Sequence, residues 1–490
     1  MNHGWAFMAA ITRAIEAWSS NLARLEPNAF TYRGADLRHA VERTLFFQLV
    51  NDVGLQQSFD DSMAKGFQPA GPGDSWRGII TGYLAPNRPT TSRPLPTIPA
   101  LSWKRRVRNR LGNLSRIGRR SYRTVGLDHG ADVLFLVIHP KFIDFLHPVA
   151  KALGHSAAFL ALRDPVVEGY LAEKSLPRVV LHKGYSGPRS ALLRHFPELC
   201  DGFDRMAEIF DALRPRIVVV PEGNAPAYEL ALRAGLPRGV ATICLQHGAP
   251  AYTNPGFRNW SFTDVFVWGQ AFVAPYAQHN PNQHFTVTGT PASLPLSRSR
   301  AGGASIRSIG FFLQKGATVI PAEEWDELLQ FIAWAAATFP DIAIIIRDHP
   351  TQPGLTAAER AMFQDRPNIR FMPPPHYSLN EALLISDVAV AAASTTLLEA
   401  VQSGAIPFIF GTAYPRDFPD IAVAGAAIAA RDRQAAESSL SRLVESENLR
   451  AELRSAGERF RPSLFAASGP EGAARIAAAL QAAANAQRRA

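Results

Sequence analysis

Cysteine is scarce in this chain, whose 490 residues include only Cys200 and Cys244. This pair has neither the spacing of a metal site nor that of a disulfide framework, so we expect a reducing compartment. Long apolar runs are also absent, and none approaches the roughly 20 residues that a membrane-spanning helix needs. Residues 1–18 lack a basic leader before an apolar segment, which argues against a signal peptide. We therefore expect a cytoplasmic protein that contacts a membrane at most from one side.

Acidic residues are missing from one stretch of the chain. Between Lys104 and Arg123 there are nine basic residues and no acidic residue, which equals the formal net charge of +9 for the whole protein. Three interpretations compete for this local patch: a solvated linker, a contact with an anionic membrane surface, and a contact with nucleic acid. The nucleic-acid interpretation is the weakest, because only Trp103 and Tyr122 supply nearby aromatic rings and no nucleic-acid-binding module is recognisable. We expect no nucleic-acid partner.

The length and composition favour a globular protein of two or three domains, with 47% hydrophobic and 19% charged residues. Residues 1–84 carry apolar residues at helical spacing, which predicts a mainly helical extension. Residues 85–125 are rich in proline and then basic, which predicts a linker. Nothing in the extension indicates chemistry.

From residue 126 onward, short apolar segments alternate with amphipathic helical segments. The alternation occupies residues 126–295, stops at a linker-like segment over 291–305, and resumes over 306–490. Short strands that alternate with helices predict a parallel sheet covered on both faces. The fold class is therefore α/β, with two Rossmann-like domains that face each other across a cleft in which two substrates can meet.

Two strand ends in the second domain carry residues typical of an anion site. The strand over 342–346 is followed by Arg347-Asp348-His349-Pro350, and the strand over 387–391 is followed by Ser394-Thr395-Thr396. A helix that begins near Thr395 would present unpaired backbone N–H groups and hydroxyls to an anion. Arg347 and His349 would add donors from the neighbouring strand end, which suits a diphosphate or a sugar phosphate. Ordinary helix capping is the alternative for the three hydroxyl residues.

Two further residues of this domain are candidates for the same site. Lys315 follows the first strand and would add a positive charge. Glu399 lies one turn into the helix after Thr396, where it would reach the ribose or sugar hydroxyls of a donor or would only face the linker. No Asp-x-Asp motif stands at a strand end, so we expect no metal ion.

The first domain supplies two candidates for a general base. Glu222 follows the segment RIVVVP, and His247 follows ATICLQ. Both come directly after strands, on the side where a doubly wound sheet opens its crevice. A glutamate there is also a common partner of a helix start, and a histidine there is also common in turns bonded to backbone. His139 and Asn224 are weaker candidates on the same acceptor side.

At this point the pattern resembles the GT-B glycosyltransferases. Residues 347–350 with Ser394 and Thr395 are similar to the His-Pro and Ser-Ser/Thr motifs of bacterial polysialyltransferases and capsule Kdo transferases, and the resemblance implies that these residues bind the nucleotide and phosphate of a CMP-sugar. Glu222-Gly223 resembles the acidic-acidic-Gly motif of those enzymes, in which the second acid is the general base, with Pro221 in place of the first acid. Residues 246–248, Gln246-His247-Gly248, resemble the His-Gly turn of glycerophosphate polymerases.

The resemblance covers residues 130–480 and implies a function. We expect an inverting, metal-independent transfer of a sugar from a nucleotide-activated donor to a bacterial surface polysaccharide, such as capsule or lipopolysaccharide, or to a glycolipid. The nucleotide sugar is a substrate, so no cofactor is expected. A non-hydrolysing nucleotide-sugar 2-epimerase is one alternative. The other is a non-catalytic nucleotide-sugar-binding scaffold whose working surface is the basic stretch Lys104 to Arg123.

Overall fold

The structure is a computed structural model of the chain. The described residues are 3–52, 54–57, 59, 121–127, 130–162, 164–181, 192–249, 254–294, 303–315, 320, 322–350, 352–392, 394–412 and 418–487. Most of the predicted linker at 85–125, including the basic stretch up to residue 120, lies outside the described residues.

The N-terminal extension consists of two helices joined by a small hairpin. Its elements are α1 (His3–Leu25), β1 (Thr31–Tyr32), β2 (Ala35–Asp36) and α2 (Arg38–Val50). The two hairpin residues Arg33 and Gly34 both have positive φ, +50° and +82°. Such a pair forms the tight turn whose twist matches that of two antiparallel strands. The prediction that this region is mainly helical agrees with these elements.

The extension is packed onto the first sheet and shares its hydrophobic core. Arg43 of α2 forms an ion pair with Glu229 of the first domain, Nη1 to Oε2 3.1 Å, and both side chains are only 2% exposed. Burial acts to raise the pKa of Glu229, but the charges of Arg43 and Arg233 outweigh it and hold that pKa below its ordinary value. A buried ion pair therefore joins the extension to the first domain.

Replacing Arg43 with methionine is expected to destabilise the fold by about 3 kcal/mol, because Glu229 then stays buried with one cation fewer. The midpoint of urea unfolding measures this effect. Arg24→Met on α1 is the matched control, since Arg24 is exposed and its Nη2 donates to Oδ1 of Asn21 at 2.8 Å. Equal midpoints for the two variants would show that the buried pair adds nothing to stability.

The first domain contains an eight-stranded sheet in the order β10-β9-β8-β7-β4-β5-β6-β3. Its elements are β3 (Tyr122–Val125), β4 (Val133–Val137), α3 (Pro140–Leu153), β5 (Ala157–Ala161), α4 (Pro165–Glu173), β6 (Arg178–Leu181), α5 (Pro197–Leu213), β7 (Ile217–Pro221), α6 (Pro226–Gly235), β8 (Ala241–Leu245), β9 (Asp264–Val267), α7 (Val273–His279) and β10 (Phe285–Val287). Every residue of β4, β5, β7 and β8 is buried. Such continuous apolar strands are typical of a parallel sheet covered on both faces.

One strand lies where a linker was expected. β3 falls within the predicted linker 85–125, yet it pairs antiparallel with β6, Tyr122 opposite Leu181 and Val125 opposite Arg178. Its burial alternates only weakly, and its charged Arg123 is exposed at the edge of the sheet, where it pairs with Glu168. Edge strands commonly carry charges that prevent further pairing. The pairing with β6, not the local sequence, makes this segment a strand.

The second domain contains a six-stranded parallel sheet in the order β13-β12-β11-β14-β15-β16. Its elements are β11 (Ser308–Phe312), α8 (Ala322–Thr338), β12 (Ala343–Arg347), α9 (Ala357–Ala361), β13 (Ile369–Phe371), α10 (Leu379–Ile385), β14 (Val388–Ala391), α11 (Thr396–Ser403), β15 (Ile406–Phe410), β16 (Ile428–Ala430), α12 (Arg433–Glu445), α13 (Glu447–Leu464) and α14 (Gly469–Gln487). The alternation of strands and helices agrees with the prediction.

The last helix returns to the first domain. α14 packs on α3, and its residues Ile476 and Leu480 belong to the core of the first sheet. The crossing chain is hydrogen-bonded to that domain, since the N–H of Thr290 donates to Ala467 O at 2.9 Å. A Cβ added to Gly472 would lie 2.0 Å from Thr290 O, so only glycine permits this close approach. The predicted division at 306–490 places α14 with the second domain, whereas its contacts are with the first.

Candidate active site

The candidate active site lies where the strand order of each sheet reverses. In the first sheet β4 and β7 are neighbours and the chain proceeds outward from each, and in the second sheet β11 and β14 stand in the same relation. In open α/β sheets, ligands bind outside the carboxyl ends of the strands at this point. The predicted base candidates follow β7 and β8, and the predicted donor-binding residues follow β11, β12 and β14.

A strained turn follows β7. Glu222 has φ +63°, a left-handed conformation that costs a residue with a side chain about 1–2 kcal/mol. Gly223 has φ +72°, and a Cβ there would lie 2.9 Å from the Sγ of Cys244 and 3.0 Å from a ring carbon of Phe262. The backbone N–H of Glu222 donates to Leu245 O at 3.0 Å. The turn therefore holds the Glu222 carboxylate beside the loop that follows β8.

The two base candidates are in direct contact. Nδ1 of His247 lies 3.0 Å from Oε1 of Glu222, and Nδ2 of Asn224 donates to Oε2 at 3.3 Å. Burial acts to raise the pKa of Glu222, but the hydrogen bond and charge of His247 and the charge of Lys141 outweigh it and lower that pKa. An ionised carboxylate only accepts hydrogen bonds, so Nδ1 of His247 donates in this contact, and Nε2 carries the lone pair whenever the imidazole is neutral. The sequence offered two alternative bases, and the structure joins them into one dyad.

Aromatic rings and a lysine surround the dyad. The His247 ring meets Phe142 and Phe145 of α3 edge to face, with centroids 4.9 Å and 4.7 Å apart. Lys141, at the start of the same helix, places Nζ 3.7 Å from Oε1 of Glu222. The packing limits rotation of the imidazole, and an oriented imidazole is what general-base chemistry requires.

The other acceptor-side candidates contact backbone. Gln246 is 1% exposed, accepts from the N–H of Trp268 at 2.8 Å and donates to Gly248 O at 3.1 Å. His139 caps α3, where its Nδ1 accepts from the N–H of Lys141 at 3.1 Å. These contacts shape the loops that carry the dyad. A direct contact of Gln246, Gly248 or His139 with an acceptor stays a prediction.

Two predicted donor-site cations are held by partners within the second domain. Nη1 of Arg347 donates to the carbonyls of Met372 and Tyr377 at 3.0 Å and 2.6 Å, and burial lowers the pKa of this guanidinium. Nζ of Lys315 donates to Oε1 of Glu359 at 2.7 Å. Both contacts stabilise loops beside the strand ends. Donor binding by either residue stays a prediction.

His349 lies two residues beyond the end of β12, between the half-buried Asp348 and the exposed Pro350. Asp348 accepts from the N–H of Leu355 at 3.1 Å and pairs with Arg360, so it anchors the following loop. Burial lowers the pKa of the His349 imidazole, and the charges of Lys141 and then Arg347 lower it further. Because Lys141 belongs to the first domain, this electrostatic effect crosses the cleft.

The strand ends that carry His349 and Ser394 are not neighbours, contrary to expectation. β11 pairs with both β12 and β14 and therefore separates them. Adjacent strands lie about 4.8 Å apart, so the two ends are about 10 Å apart across the sheet. The two groups therefore lie on opposite sides of the end of β11 instead of converging on one phosphate oxygen.

Ser394 organises the start of α11. Its Oγ accepts from the N–H of Thr396 at 3.2 Å and contacts the Thr396 hydroxyl at 3.0 Å, and both side chains are buried. Thr395, the residue before the helix, makes no capping bond through its side chain. The capping interpretation therefore holds for Ser394. Binding of a donor by Ser394, Thr395 and Thr396 stays a prediction.

Glu399 lies in the first turn of α11, and no hydrogen bond to its carboxylate is found among the described residues. Burial raises the pKa of this carboxyl to about 7. A half-buried carboxyl group without a hydrogen-bond partner weakens the fold when it is ionised. Such a group is suited to accept from ligand hydroxyls, which agrees with the predicted contact to a ribose or sugar, itself still a prediction.

Glu399→Gln is expected to stabilise the fold by about 1–3 kcal/mol above pH 7. The pKa of Glu399 is about 7 in the folded protein and 4.5 for an ordinary glutamate. Between pH 4.5 and about 7, the folded state therefore keeps a proton that the unfolded chain has released. The free energy of unfolding of the natural protein therefore decreases as the pH rises from 4.5 to about 7. The variant has no carboxyl group at this position, so this decrease is absent from it. Urea unfolding at pH 4.5 and pH 8 measures it. Glu452→Gln, at an exposed position on α13, is the control, and a parallel pH response of the two variants would contradict the prediction.

Sequence reasoning missed Lys141 and the two phenylalanines of α3. The segment 139–145 follows β4 at the reversal of strand order, so its position at the site depends on which strands are neighbours. The sequence signal was a polar His-Pro-Lys at a strand end, the same signal that identified His349.

Two absences apply to the described part of the chain. No helix there is both long and apolar enough to cross a membrane. No group of three or more histidine, cysteine, aspartate or glutamate residues there is arranged to hold a metal ion.

Comparison with known proteins identifies the fold. No family model and no curated protein sequence matches the chain. The structure of a candidate UDP-N-acetylglucosamine 2-epimerase from Listeria monocytogenes is similar at 12% identity and a TM-score of 0.52, over 72% of this chain and 96% of that chain. This likeness confirms the predicted fold class of two Rossmann-like domains, the GT-B architecture.

Two further structures show weaker likeness. HepE of Anabaena, in complex with UDP and glucose, has 14% identity and a TM-score of 0.46, over 72% of this chain and 100% of that chain. The glycotransferase of kitacinnamycin has 13% identity and a TM-score of 0.48, over 73% of this chain and 99% of that chain.

Proposed function

We propose that this chain is a glycosyltransferase that moves a sugar from a nucleotide-activated donor to an acceptor hydroxyl. The observation that carries the proposal is the His247–Glu222 dyad at the carboxyl ends of the first sheet, with Nδ1 of His247 3.0 Å from Oε1 of Glu222. The dyad is a proton acceptor on one side of the cleft, and the second domain offers hydrogen-bond donors on the other. A transfer with a departing phosphate requires both.

In the proposed reaction, Nε2 of His247 takes the proton from the acceptor hydroxyl. The acceptor oxygen forms a bond to the anomeric carbon while the bond from that carbon to the donor phosphate breaks, and the nucleotide leaves with the electron pair. Ionised Glu222, at 3.0 Å from Nδ1, stabilises the imidazolium that forms. Attack from the side opposite the leaving group inverts the anomeric centre.

The donor lies against the second domain in this proposal. The groups proposed to contact it are His349, the hydroxyls at the start of α11, and Glu399. The similarity of residues 347–350 and 394–395 to the motifs of polysialyltransferases and Kdo transferases slightly favours a CMP-sugar. The proposal includes that the protein stabilises the departing nucleotide without a metal ion.

The acceptor in this proposal is a bacterial surface polysaccharide or a glycolipid. The same motif resemblance supports it, and the basic stretch from Lys104 to Arg123 would bring a cytoplasmic enzyme to the anionic inner face of the cell membrane. Residues 104–120 lie outside the described residues, so the support here is their charge alone.

Thermal unfolding in the presence of CMP, CDP, UDP and GDP tests the donor site. A ligand that binds the folded state raises Tm by mass action, about 2.7 kcal/mol of stabilisation at one hundred times Kd. We expect one nucleotide to raise Tm more than the others, and His349→Ala to reduce that rise. No rise with any nucleotide would overturn the proposal.

A nucleotide-sugar 2-epimerase is the second candidate, because the Listeria structure that shares the fold is described as a candidate for that activity. An epimerase needs no acceptor. Incubation with UDP-N-acetylglucosamine alone, followed by NMR of the sugar C2 centre, separates the two functions: a new epimer favours the second candidate, and an unchanged sugar favours transfer.

A further inference from the structure

The turn that carries Glu222 lies against one segment of the first domain, residues 254–262, which we call the support segment. A Cβ added to Gly256 of this segment would lie 2.5 Å from the backbone oxygen of Asn224 and 2.6 Å from its Cα. Only glycine permits two backbones to come so close. Asn224 in turn donates from Nδ2 to Oε2 of Glu222 at 3.3 Å. The support segment therefore limits where the Glu222 carboxylate can lie.

The support segment is itself held firmly. The N–H of Gly256 donates to Oδ1 of Asn254 at 2.8 Å, and its carbonyl accepts from Nε1 of Trp260 at 2.6 Å. The segment meets the turn a second time at Phe262, since a Cβ on Gly223 would lie 3.0 Å from a carbon of that ring. Two successive residues of the turn are thus in contact with the same segment.

The N-terminal extension contacts this segment as well. Nη1 of Arg258 lies 3.3 Å from Oε2 of Glu16 on α1, and both side chains are partly buried. Helix α2 packs on the short turn Pro255–Phe257. Trp260 belongs to the same buried core as the apolar residues of α1 and α2. A continuous series of contacts therefore runs from the extension through the support segment to the turn of the dyad.

We propose that the N-terminal extension positions the His247–Glu222 dyad through the support segment, with Arg258 and Gly256 as positioning residues. Arg258 acts by pairing with Glu16, and Gly256 acts by letting the segment lie against the turn. A general base works only at the right distance and angle from the hydroxyl, so small displacements of the dyad lower its efficiency. The inference rests on the proposed function for the role of the dyad, and it gives the extension a part in that function.

The test observes the dyad directly and needs neither donor nor acceptor. An imidazole N–H that donates to a carboxylate gives a low-field proton signal that exchanges slowly with water, and NMR with isotope-labelled histidine detects it. The signal of His247 is identified by its loss in His247→Gln. In Gly256→Ala the added methyl group collides with the backbone of Asn224, so we expect the signal to shift or to be lost. In Arg258→Met the tie to α1 is cut, and we expect a smaller shift.

Two control variants accompany these. Gly169→Ala adds a methyl group on α4 where a Cβ meets nothing within 4 Å, and it should leave the His247 signal unchanged. Arg258→Lys keeps a positive charge opposite Glu16 and should retain the natural signal. Thermal unfolding shows which variants are folded, and the two Arg258 variants decide the outcome even if Gly256→Ala does not fold.

Two results would overturn the inference. An unchanged His247 signal in Arg258→Met would show that the extension does not position the dyad. Equal shifts in Arg258→Met and Arg258→Lys would show that the ion pair is not the cause. A failure of the proposed function gives a different result: the His247 signal responds to the variants as expected, yet His247→Gln transfers sugar as fast as the natural protein. In that case the extension still positions the dyad, and the dyad is not the base.

Discussion

If the proposed function is correct, His247→Gln is expected to lower kcat for sugar transfer by about 10²–10⁴-fold, the usual contribution of a positioned general base. Glutamine keeps a polar side chain of similar length but cannot take up a proton. The KM for the donor should change little, because the dyad belongs to the acceptor side. Steady-state kinetics with the nucleotide sugar selected by the thermal screen measures both constants.

Two further variants make this result specific. His155→Gln replaces an exposed histidine just beyond the opposite end of α3 and should leave kcat unchanged. Glu222→Gln should lower kcat by less than His247→Gln does, since it removes the charge that stabilises the imidazolium but leaves the base. Unchanged kcat in both dyad variants would show that the dyad is not the general base. A natural protein that binds a nucleotide sugar but transfers nothing would favour the scaffold alternative, under which the arginines of the basic stretch matter.

Under the proposed function, His349→Ala is expected to abolish detectable transfer or to lower kcat by about 10²–10³-fold, as loss of one preorganised donor to a developing oxyanion does. The imidazole is half buried at the end of β12, and its removal leaves β12 and the ion pair of Asp348 with Arg360 in place. Tm without ligand should therefore stay close to that of the natural protein. Kinetics and thermal unfolding together separate a lost donor from a lost fold.

His376→Ala serves as the control for this variant. His376 is exposed in a loop of the same domain, so the change removes a histidine of the same half of the protein. Full activity of His349→Ala would refute the donor site. Equal losses in the two variants would show that histidine removal acts through the fold and not through the leaving group.

The site contains features that weaken the fold. Glu222 has a left-handed backbone, and burial raises the pKa of Glu399 to about 7 without a partner for its carboxylate among the described residues. Strain of this kind persists where the surrounding structure enforces it and is concentrated at functional sites. The two residues were selected from the sequence for their chemistry. The structure adds that each of them lowers the stability of the fold, Glu222 through its backbone conformation and Glu399 through its unpartnered carboxyl group.

The secondary structure was largely predictable, and the reason is local. The central strands of both sheets include continuous apolar segments such as VLFLV and IPFIF, bounded by helical patterns, and such segments have few alternatives in a chain of this composition. Helix α11 begins at Thr396, next to the predicted Thr395, and the hydroxyl of Ser394 accepts from the N–H of Thr396. These features depend on residues close in sequence.

Other features depended on pairing between distant residues. β3 becomes a strand because β6 offers a free edge, and α14 packs on α3 because its apolar face fits the first domain after the chain has crossed over. The extension is held by Arg43 and Glu229, which are 186 residues apart in the numbering, from 43 to 229. No local pattern contains these contacts.

The sequence alone determined the α/β class, the two domains and the residue types at the strand ends, since these follow from periodicity and from the end of each apolar run. Only the tertiary structure decided that Glu222 and His247 form one dyad, that β11 separates His349 from Ser394, and that Lys141 belongs to the site. The physical reason is that strand order is set by packing over the whole sheet. Which side chains meet in the cleft therefore depends on neighbours that are far apart along the chain.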